Sequence, residues 1–410
     1  MRILTILGQK PEMTGSGTLI RELWKCAEKA GDQQRAIVAA YPGDDYTQPF
    51  GDSYSAITYS HPATGLEGEL PFPILGMSDV MPYPSLRYSR AQRSQIDAHI
   101  KAYQARMEAV LSEFKPDIIH IHHLWVLASL AKYRGNASVF VTVHGTDLKQ
   151  AKTAPQYVEL VKEGVKYVDG FLCVSRDILN DTRRIYDIPP GKAVMMGNGY
   201  NDDIFFPDGP AAECEGPVVV AAGKYVRWKG FHYLIRACGR LSTPHRLMIF
   251  GTGPEMVREA LIKEAAANDM RDKMVLAGHV AQHELARWFR RADVFVLPSV
   301  YEPFGLVLLE SMACGSPAIA GASGGANDIV RDDLIADGLA TLVTPLKEGD
   351  PVDEERYVSD LHQALEKTLS RGVAPLTRRR ISDSVKGLEW SNVYELVRAE
   401  YAKAARAKNG

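Results

Sequence analysis

The sequence predicts a two-domain α/β protein in which each domain is a parallel sheet covered by helices. Three observations carry that prediction. Short β-branched apolar runs alternate with longer segments of helical period, several runs are apolar at every position, and the alternation stops near residue 201 and restarts near 217. A strand that is apolar throughout is buried on both faces, the pattern of a parallel sheet between two helical layers. At 410 residues the chain also exceeds one core, since domains run to about 100–200 residues.

In chain order, RILTIL (2–7), RAIVAA (35–40), PDIIHI (116–121), VFVTV (139–143), FLCVS (171–175) and AVMM (193–196) read as strands. Segments 18–30, 92–114, 155–168 and 176–186 between them have helical spacing. The stretch 201–216, NDDIFFPDGPAAECEG, is rich in Pro, Gly and acidic residues and has no period, so it reads as a linker. PVVVAAG (217–223), HRLMIFG (245–251), KMVLAG (273–278), DVFVLPS (293–299) and SPAIAG (316–321) then resume the pattern, and 354–408 is helical throughout. Residues 60–90 stand apart: Pro- and Gly-rich with several aromatics, they form either a substrate-contacting loop or a structural excursion.

Composition removes several function classes. There are 48 Lys and Arg against 50 Asp and Glu, and 22 of the basic and 21 of the acidic residues precede residue 201. Neither half has the basic excess that a nucleic-acid partner requires. The five cysteines are scattered, with no C-x-x-C pair, which suits a reducing cytoplasm and neither a zinc site nor a disulfide scaffold. No apolar run reaches the roughly 20 residues of a membrane span, and the N-terminal one is too short for a signal peptide. Arg87, Arg90 and Arg93 could dock an anionic membrane or an acidic acceptor, but with Tyr88 and Ser89 interleaved such a pattern is more often a solvated helix start.

Four stretches carry candidate chemistry. In VFVLPSVYEPFGLVLLESMACGSPAIA (294–320) a buried strand gives way to a loop with Glu302 and a helix opening near Phe304 and Gly305. Glu310 lies there among Leu306, Val307, Leu308, Leu309, Met312 and Ala313, so its carboxylate is buried and needs a partner, either a cation of this chain or ligand hydroxyls. In VVVAAGKYVRWKGF (218–231) a strand ends in glycine, and Lys224, Arg227 and Lys229 follow at its carboxyl end, suited to a diphosphate or simply solvated. Gly15 and Gly17, flanking Ser16 in T-G-S-G, permit close phosphate approach at a helix start or form a plain turn. His144 follows a fully apolar strand, so it sits at a strand's carboxyl end. Strand alternation puts His120 and His122 on one face and His123 on the other; without a supporting carboxylate or cysteine pattern they suggest no metal site. GTGPEM (251–256) lacks a third glycine and reads as a tight turn.

Together these pieces resemble the retaining, nucleotide-sugar-dependent glycosyltransferases of family 4. The resemblance rests on T-G-S-G, H-G-T-D at 144–147, N-G at 198–199 before F-x-P, G-K-x-x-x-x-K-G at 223–230 and above all E-x7-E in P-S-x-Y-E-P-F-G-L-x-x-L-E. It implies the GT-B fold: two Rossmann-like domains, 1–200 and 217–385, facing each other across a donor/acceptor cleft, with a C-terminal helix (386–410) crossing back to the first. It further implies that Glu302 contacts the donor sugar, Glu310 the ribose, and Lys224 and Lys229 the diphosphate. Gly15, Ser16 and Gly17 would add backbone contacts, His144 would lie against the sugar, and Phe304, Gly305 and Leu306 would complete the pocket. His144, Lys229 and Glu302 are then the catalytic candidates; His122, His123, Tyr83 and Arg87 are acceptor-side candidates.

The implied reaction moves a sugar from a UDP-sugar, or next a GDP-sugar, to a hydroxyl acceptor, either a small polar molecule or a cell-envelope glycan precursor. It needs no cofactor and no metal. The alternatives are an epimerase or phosphorylase on the same scaffold, or a sugar-nucleotide-binding protein without turnover. Sugar, acceptor and oligomeric state are not specified by these motifs. Three positions depart from the family pattern: Lys224 replaces an arginine, Thr14 a glycine, and G-G-A-N-D-I-V (324–330) the usual G-G-x-P-E.

Overall fold

A computed structural model describes residues 1–409 except Met13, Asp79 and Glu348, with side chains through Arg406. The chain divides into two compact units, one formed by Met1–Asn198 with Trp390–Gly410 and the other by Gly199–Glu389.

The strands are β1 (Arg2–Leu7), β2 (Gln33–Ala40), β3 (Tyr54–Thr58), β4 (Leu75–Gly76), β5 (Leu86–Arg87), β6 (Ile118–His122), β7 (Ser138–Val143), β8 (Gly170–Cys173) and β9 (Ala193–Met195) in the first unit. In the second they are β10 (Val218–Ala222), β11 (Arg246–Phe250), β12 (Met274–Gly278), β13 (Val294–Leu297), β14 (Ala318–Gly321) and β15 (Ala340–Val343). The first unit holds a seven-stranded sheet in the order β3-β2-β1-β6-β7-β8-β9, and the second a six-stranded sheet in the order β12-β11-β10-β13-β14-β15. All ladders in both are parallel. The central strands β6, β7, β10 and β13 are buried at every residue; β10 and β13 are apolar throughout, whereas β6 also buries His120 and His122, and β7 buries Ser138 and Thr142.

Each sheet therefore starts in its middle and winds outward both ways. The strand order reverses between β1 and β6 in one unit and between β10 and β13 in the other. At such a switch point the two neighbouring loops leave in opposite directions and open a crevice beyond the carboxyl ends of the strands. The crevices follow Leu7 and His122, which are register partners, and Ala222 and Leu297.

Of the four strands that the sequence reading omits, β4 and β5 form a separate two-stranded ladder, and β3 and β15 are edges of the two main sheets, half-exposed at four of five and at two of four residues. The helix Thr146–Thr153 was also omitted, and 155–168 resolves into a short 3-10 turn followed by the helix Val158–Val165. The tail forms three helices, Pro351–Arg371, Pro375–Ser384 and Trp390–Asn409. Residues 204–216 lie on the second unit: Arg290, itself buried, donates to the carbonyls of Ile204, Phe206 and Pro210, and Arg291 to that of Cys214. The last helix belongs to the first unit, where Tyr394 and Arg398 both donate to the buried carboxylate of Asp32. Within 60–90, Phe72, Ile74, Leu75, Met77 and Tyr88 are core residues, and β4 pairs with β5.

Candidate active site

In the second unit, the loop after β10 runs from Gly223 to Gly230 and meets the loop after β13. Gly230 makes that approach possible: its φ is +70°, and a Cβ there would stand 1.8 Å from the Pro298 carbonyl oxygen. The ammonium of Lys229, on the preceding residue, pairs with the Glu302 carboxylate. Ser299 Oγ donates to the same Glu302 oxygen at 3.1 Å. Lys224 has no side-chain partner among the described residues; burial, with Lys229 close by, holds its ammonium below its ordinary pKa. Two cations thus face one paired carboxylate, leaving an uncompensated positive charge at the crevice.

A second glycine pair supports the acidic loop. Gly325 N–H donates to the Glu302 carbonyl at 3.2 Å, and a Cβ on Gly324 would lie 1.8 Å from that oxygen. The G-G of 324–325 therefore shapes the loop carrying Glu302, a role that its spacing alone did not reveal. Gly305, at φ +99°, starts the helix Leu306–Ala313, whose first turn no side chain caps. Phe304 is buried and Leu306 half-buried beside it. Glu310, one turn on, is 7% exposed and has no hydrogen bond or ion pair to its carboxylate among the described residues. Burial pushes its pKa up to about 8. Of its two possible partners, a cation of this chain is absent among the described residues.

Arg227 parts company with the two lysines. It is exposed and lies 3.7 Å from Glu354 on the helix Pro351–Arg371.

In the first unit the loop after β1 caps the helix Gly15–Lys29. Thr14 is its N-cap and accepts the Gly17 N–H at 3.0 Å, which explains a hydroxyl where the resemblance leads one to expect glycine. Gln9 donates to Ser16 Oγ and Thr14 Oγ1. A Cβ on Gly17 would meet the Pro11 carbonyl oxygen at 2.4 Å, so Gly17 serves packing, while Gly15 is exposed at the helix start.

Across the switch point, β6 and β7 bring three histidines together. His122 Nδ1 is 3.3 Å from His144 Nε2, and the His123 ring centroid is 4.4 Å from that of His144. The expected separation of His122 and His123 by strand alternation does not hold, because His123 lies just past β6 with φ +74° and turns its ring back towards His144. Burial pushes the pKa of His123 down to about 4, with Asp147 pulling the other way, and holds His122 and His144 well below the usual imidazole value. All three are therefore neutral near pH 7. Asp147, quoted in H-G-T-D without a role, is fully buried and accepts the N–H groups of Leu124, His144, Gly145 and Leu148. It fixes the loop that presents His144.

Tyr83 belongs to a neighbouring group: its hydroxyl accepts the Lys10 N–H at 3.4 Å, and Lys10 Nζ pairs with Asp44 at 2.8 Å. Arg87 is exposed on β5 and joins none of these clusters. Among the described residues no three His, Cys, Asp or Glu side chains are arranged to hold a metal ion, and no helix is long and apolar enough to cross a membrane.

Comparison with known proteins gives the family and the fold. A family profile described as "Glycosyltransferase Family 4" matches residues 13–204, and one described as "Glycosyl transferases group 1" matches 216–364. The chain belongs to the family 4 glycosyltransferases. This glycosyltransferase is 29% identical over 287 residues to a D-inositol 3-phosphate glycosyltransferase of Xylanimonas cellulosilytica, covering 62% of the chain and 68% of the relative. It is 25% identical over 246 residues to the N-acetyl-alpha-D-glucosaminyl L-malate synthase of Bacillus anthracis, covering 56% and 63%. Its fold matches that of a sucrose-phosphate synthase from Thermosynechococcus elongatus with a TM-score of 0.74 at 20% identity, over 99% of both chains. The fold is GT-B.

Proposed function

We propose that the protein transfers a sugar from a nucleoside diphosphate donor, a UDP-sugar before a GDP-sugar, to a small polar hydroxyl acceptor, with retention at the anomeric carbon. The observation that carries this reading is the second unit's switch point, where Lys224 and the Lys229–Glu302 pair stand beside an unpartnered buried Glu310. Cleaving the sugar–phosphate bond leaves negative charge on the diphosphate, and preorganised ammonium groups stabilise that charge as it develops. Glu302, held by Lys229 and Ser299, accepts sugar hydroxyls, and Glu310 accepts those of the ribose, which also gives its carboxyl the partners that it lacks in the protein.

In the first unit His144 offers a neutral imidazole to the sugar, and the exposed start of the helix at Gly15 offers backbone donors. The bond from C1 to the diphosphate breaks, a new bond forms from C1 to the acceptor oxygen on the same face, and the acceptor's proton passes to the departing phosphate oxygen. Two relatives whose names specify inositol phosphate and malate support a small polar acceptor. The free thiols of all five cysteines support a cytoplasmic setting.

The test is turnover of a panel of UDP- and GDP-sugars, with inositol phosphate, malate and simple glycosides as acceptors, read by mass spectrometry. Release of a nucleoside diphosphate together with an acceptor heavier by one sugar supports transfer. An altered donor sugar without acceptor modification means epimerisation, and no binding of any donor refutes the reading.

A further inference from the structure

The face of β6 turned to the last helix carries a polar column that the reaction does not directly use. His120 and His122 point to the same side of this strand, towards the helix Trp390–Asn409, with ring centroids 4.1 Å apart. Tyr401 of that helix places its hydroxyl 2.6 Å from His120 Nδ1, and His120 Nε2 is 2.6 Å from Thr142 Oγ1. Tyr401, His120, His122 and Thr142 are each at most 2% exposed.

The direction of these hydrogen bonds follows from what each atom can do. The Tyr401 hydroxyl has no other acceptor among the described residues, so its proton goes to His120 Nδ1, since leaving a buried O–H unpaired costs about 1–3 kcal/mol. His120 then carries its proton on Nε2 and donates it to Thr142. The ring is held at both ends, and His122 packs against it with the ring planes inclined at 35°. Beyond it, His122 Nδ1 meets His144 Nε2 at 3.3 Å.

The helix itself is anchored: Tyr394, Arg398 and Tyr401 lie on one helical face, and the first two bind Asp32 at 2.6 and 2.8 Å. A column of aliphatic side chains would fill the same space without directional bonds, so the polar one defines an orientation that apolar packing would leave loose.

We propose that Tyr401, His120 and His122 are positioning residues that set the orientation of the His144 imidazole, making the C-terminal helix part of the active-site scaffold. This rests on the reading of His144 as a sugar contact. It also places His122 behind His144, as the ring that holds it, instead of on the acceptor.

The test uses Tyr401→Phe, which keeps the ring packed against Phe140 and removes only the hydroxyl. Turnover is measured with whichever of UDP-glucose, UDP-galactose, UDP-N-acetylglucosamine and GDP-mannose the wild-type chain processes fastest. Tyr401→Phe should lower kcat roughly tenfold, the scale of a misoriented catalytic contact, with donor KM unchanged within about twofold. In a His144→Ala background it should lower kcat no further, because it acts through that ring. Tyr394→Phe removes a buried hydroxyl from the same helix face, outside the column, while Arg398 keeps the helix on Asp32, and should leave kcat unchanged; it controls for the loss of a hydroxyl from the helix.

An unaltered kcat in Tyr401→Phe, an equal loss with and without His144, or an equal loss in Tyr394→Phe each overturns the proposal. If His144→Ala itself leaves kcat intact, the sugar-contact reading fails, and the column falls with it; a loss in His144→Ala without one in Tyr401→Phe removes the column alone. Should Tyr401→Phe melt at a much lower temperature, the imidazole 15N shifts of His120→Gln give a second readout: His144 must move with the column or the proposal is wrong.

Discussion

The two switch points occupy equivalent places in two similar sheets, yet they carry opposite electrostatics. The second unit's gathers Lys224, Lys229 and Glu302 with a buried, unpaired Glu310. The first unit's gathers His122, His123 and His144 as neutral rings, and its one buried carboxylate, Asp147, is committed to backbone N–H groups. One crevice is thus prepared for charge that appears during reaction, whereas the other presents shape and neutral hydrogen bonds. If this contrast governs function, substitutions in the two crevices should differ in size and in pH behaviour.

The largest effect belongs to Lys229→Ala. Removing a preorganised stabiliser of transition-state charge costs about 10²–10³ in kcat, while His144→Ala, losing a neutral contact, should cost roughly tenfold. Steady-state kinetics of the two variants compares the crevices directly. Equal losses would erase the distinction.

Gly230→Ala sharpens the point from the backbone side. A Cβ at 1.8 Å from the Pro298 carbonyl oxygen must push the two loops apart, and φ +70° adds strain of about 1–3 kcal/mol. Activity should fall nearly as far as in Lys229→Ala, with thermal stability falling as well. A variant that keeps its turnover would mean that the Lys229–Glu302 pair is not what that glycine protects.

The pH dependences should run in opposite senses. Glu310 keeps its proton up to about pH 8 in the folded chain, whereas a free Glu loses it near 4.3. Between those values the unfolded state ionises and the folded state does not, so stability falls as pH rises, by up to about 1.4 kcal/mol per pH unit. Glu310→Gln removes the effect: its melting temperature should gain on the wild type from pH 5 to 8, and a constant difference would show that the carboxyl is not buried uncharged. The histidines are depressed, His120 to about 3 and His123 to about 4. Below about 6.5 the unfolded chain takes up protons that the folded one refuses, so stability falls as pH falls. Hydrogen exchange at 118–123, corrected for intrinsic rate, should accelerate from pH 6.5 to 4, while that of 306–313 should not.

How much of this was legible in the sequence follows the same division. Central strands such as VVVAA and VFVL announce themselves, because burial on both faces demands unbroken apolar residues. The edge strands β3 and β15 do not, since half-exposed residues carry no such demand, although the equally exposed edge β12 was read from its apolar MVLAG. At the charged crevice, cations after a strand end and a Glu in an apolar helix are improbable without a reason, so Lys224, Lys229 and Glu310 stood out as residues, Arg227 with them, whereas Glu302 was marked only by the E-x7-E resemblance. The neutral crevice depends on long-range contacts: Asp147 bonding back to Leu124, and Tyr401 reaching His120 from the far end of the chain. Histidines and tyrosines are common in cores, and only the fold distinguishes these. The φ of +74° at His123, which defeats the alternation rule, likewise has no signature in H-I-H-H-L-W.

The smallest expected effect tests the boundary of the charged crevice. Arg227 stands two residues before Lys229 in the same loop, and a sequence reading groups it with the lysines. The 3-10 turn of Arg227–Lys229 instead points the two side chains differently: Lys229 is 17% exposed against Glu302, whereas Arg227 is 67% exposed against Glu354. A solvated ion pair of that kind contributes about 0–1 kcal/mol and interacts only through screened charge with an anion in the crevice. Arg227→Ala should therefore change kcat/KM by less than about threefold, and that small effect should vanish on raising the salt concentration. A loss approaching that of Lys229→Ala, persistent at high salt, would mean that Arg227 enters the crevice with the bound donor and that the charged cluster is larger than the two lysines.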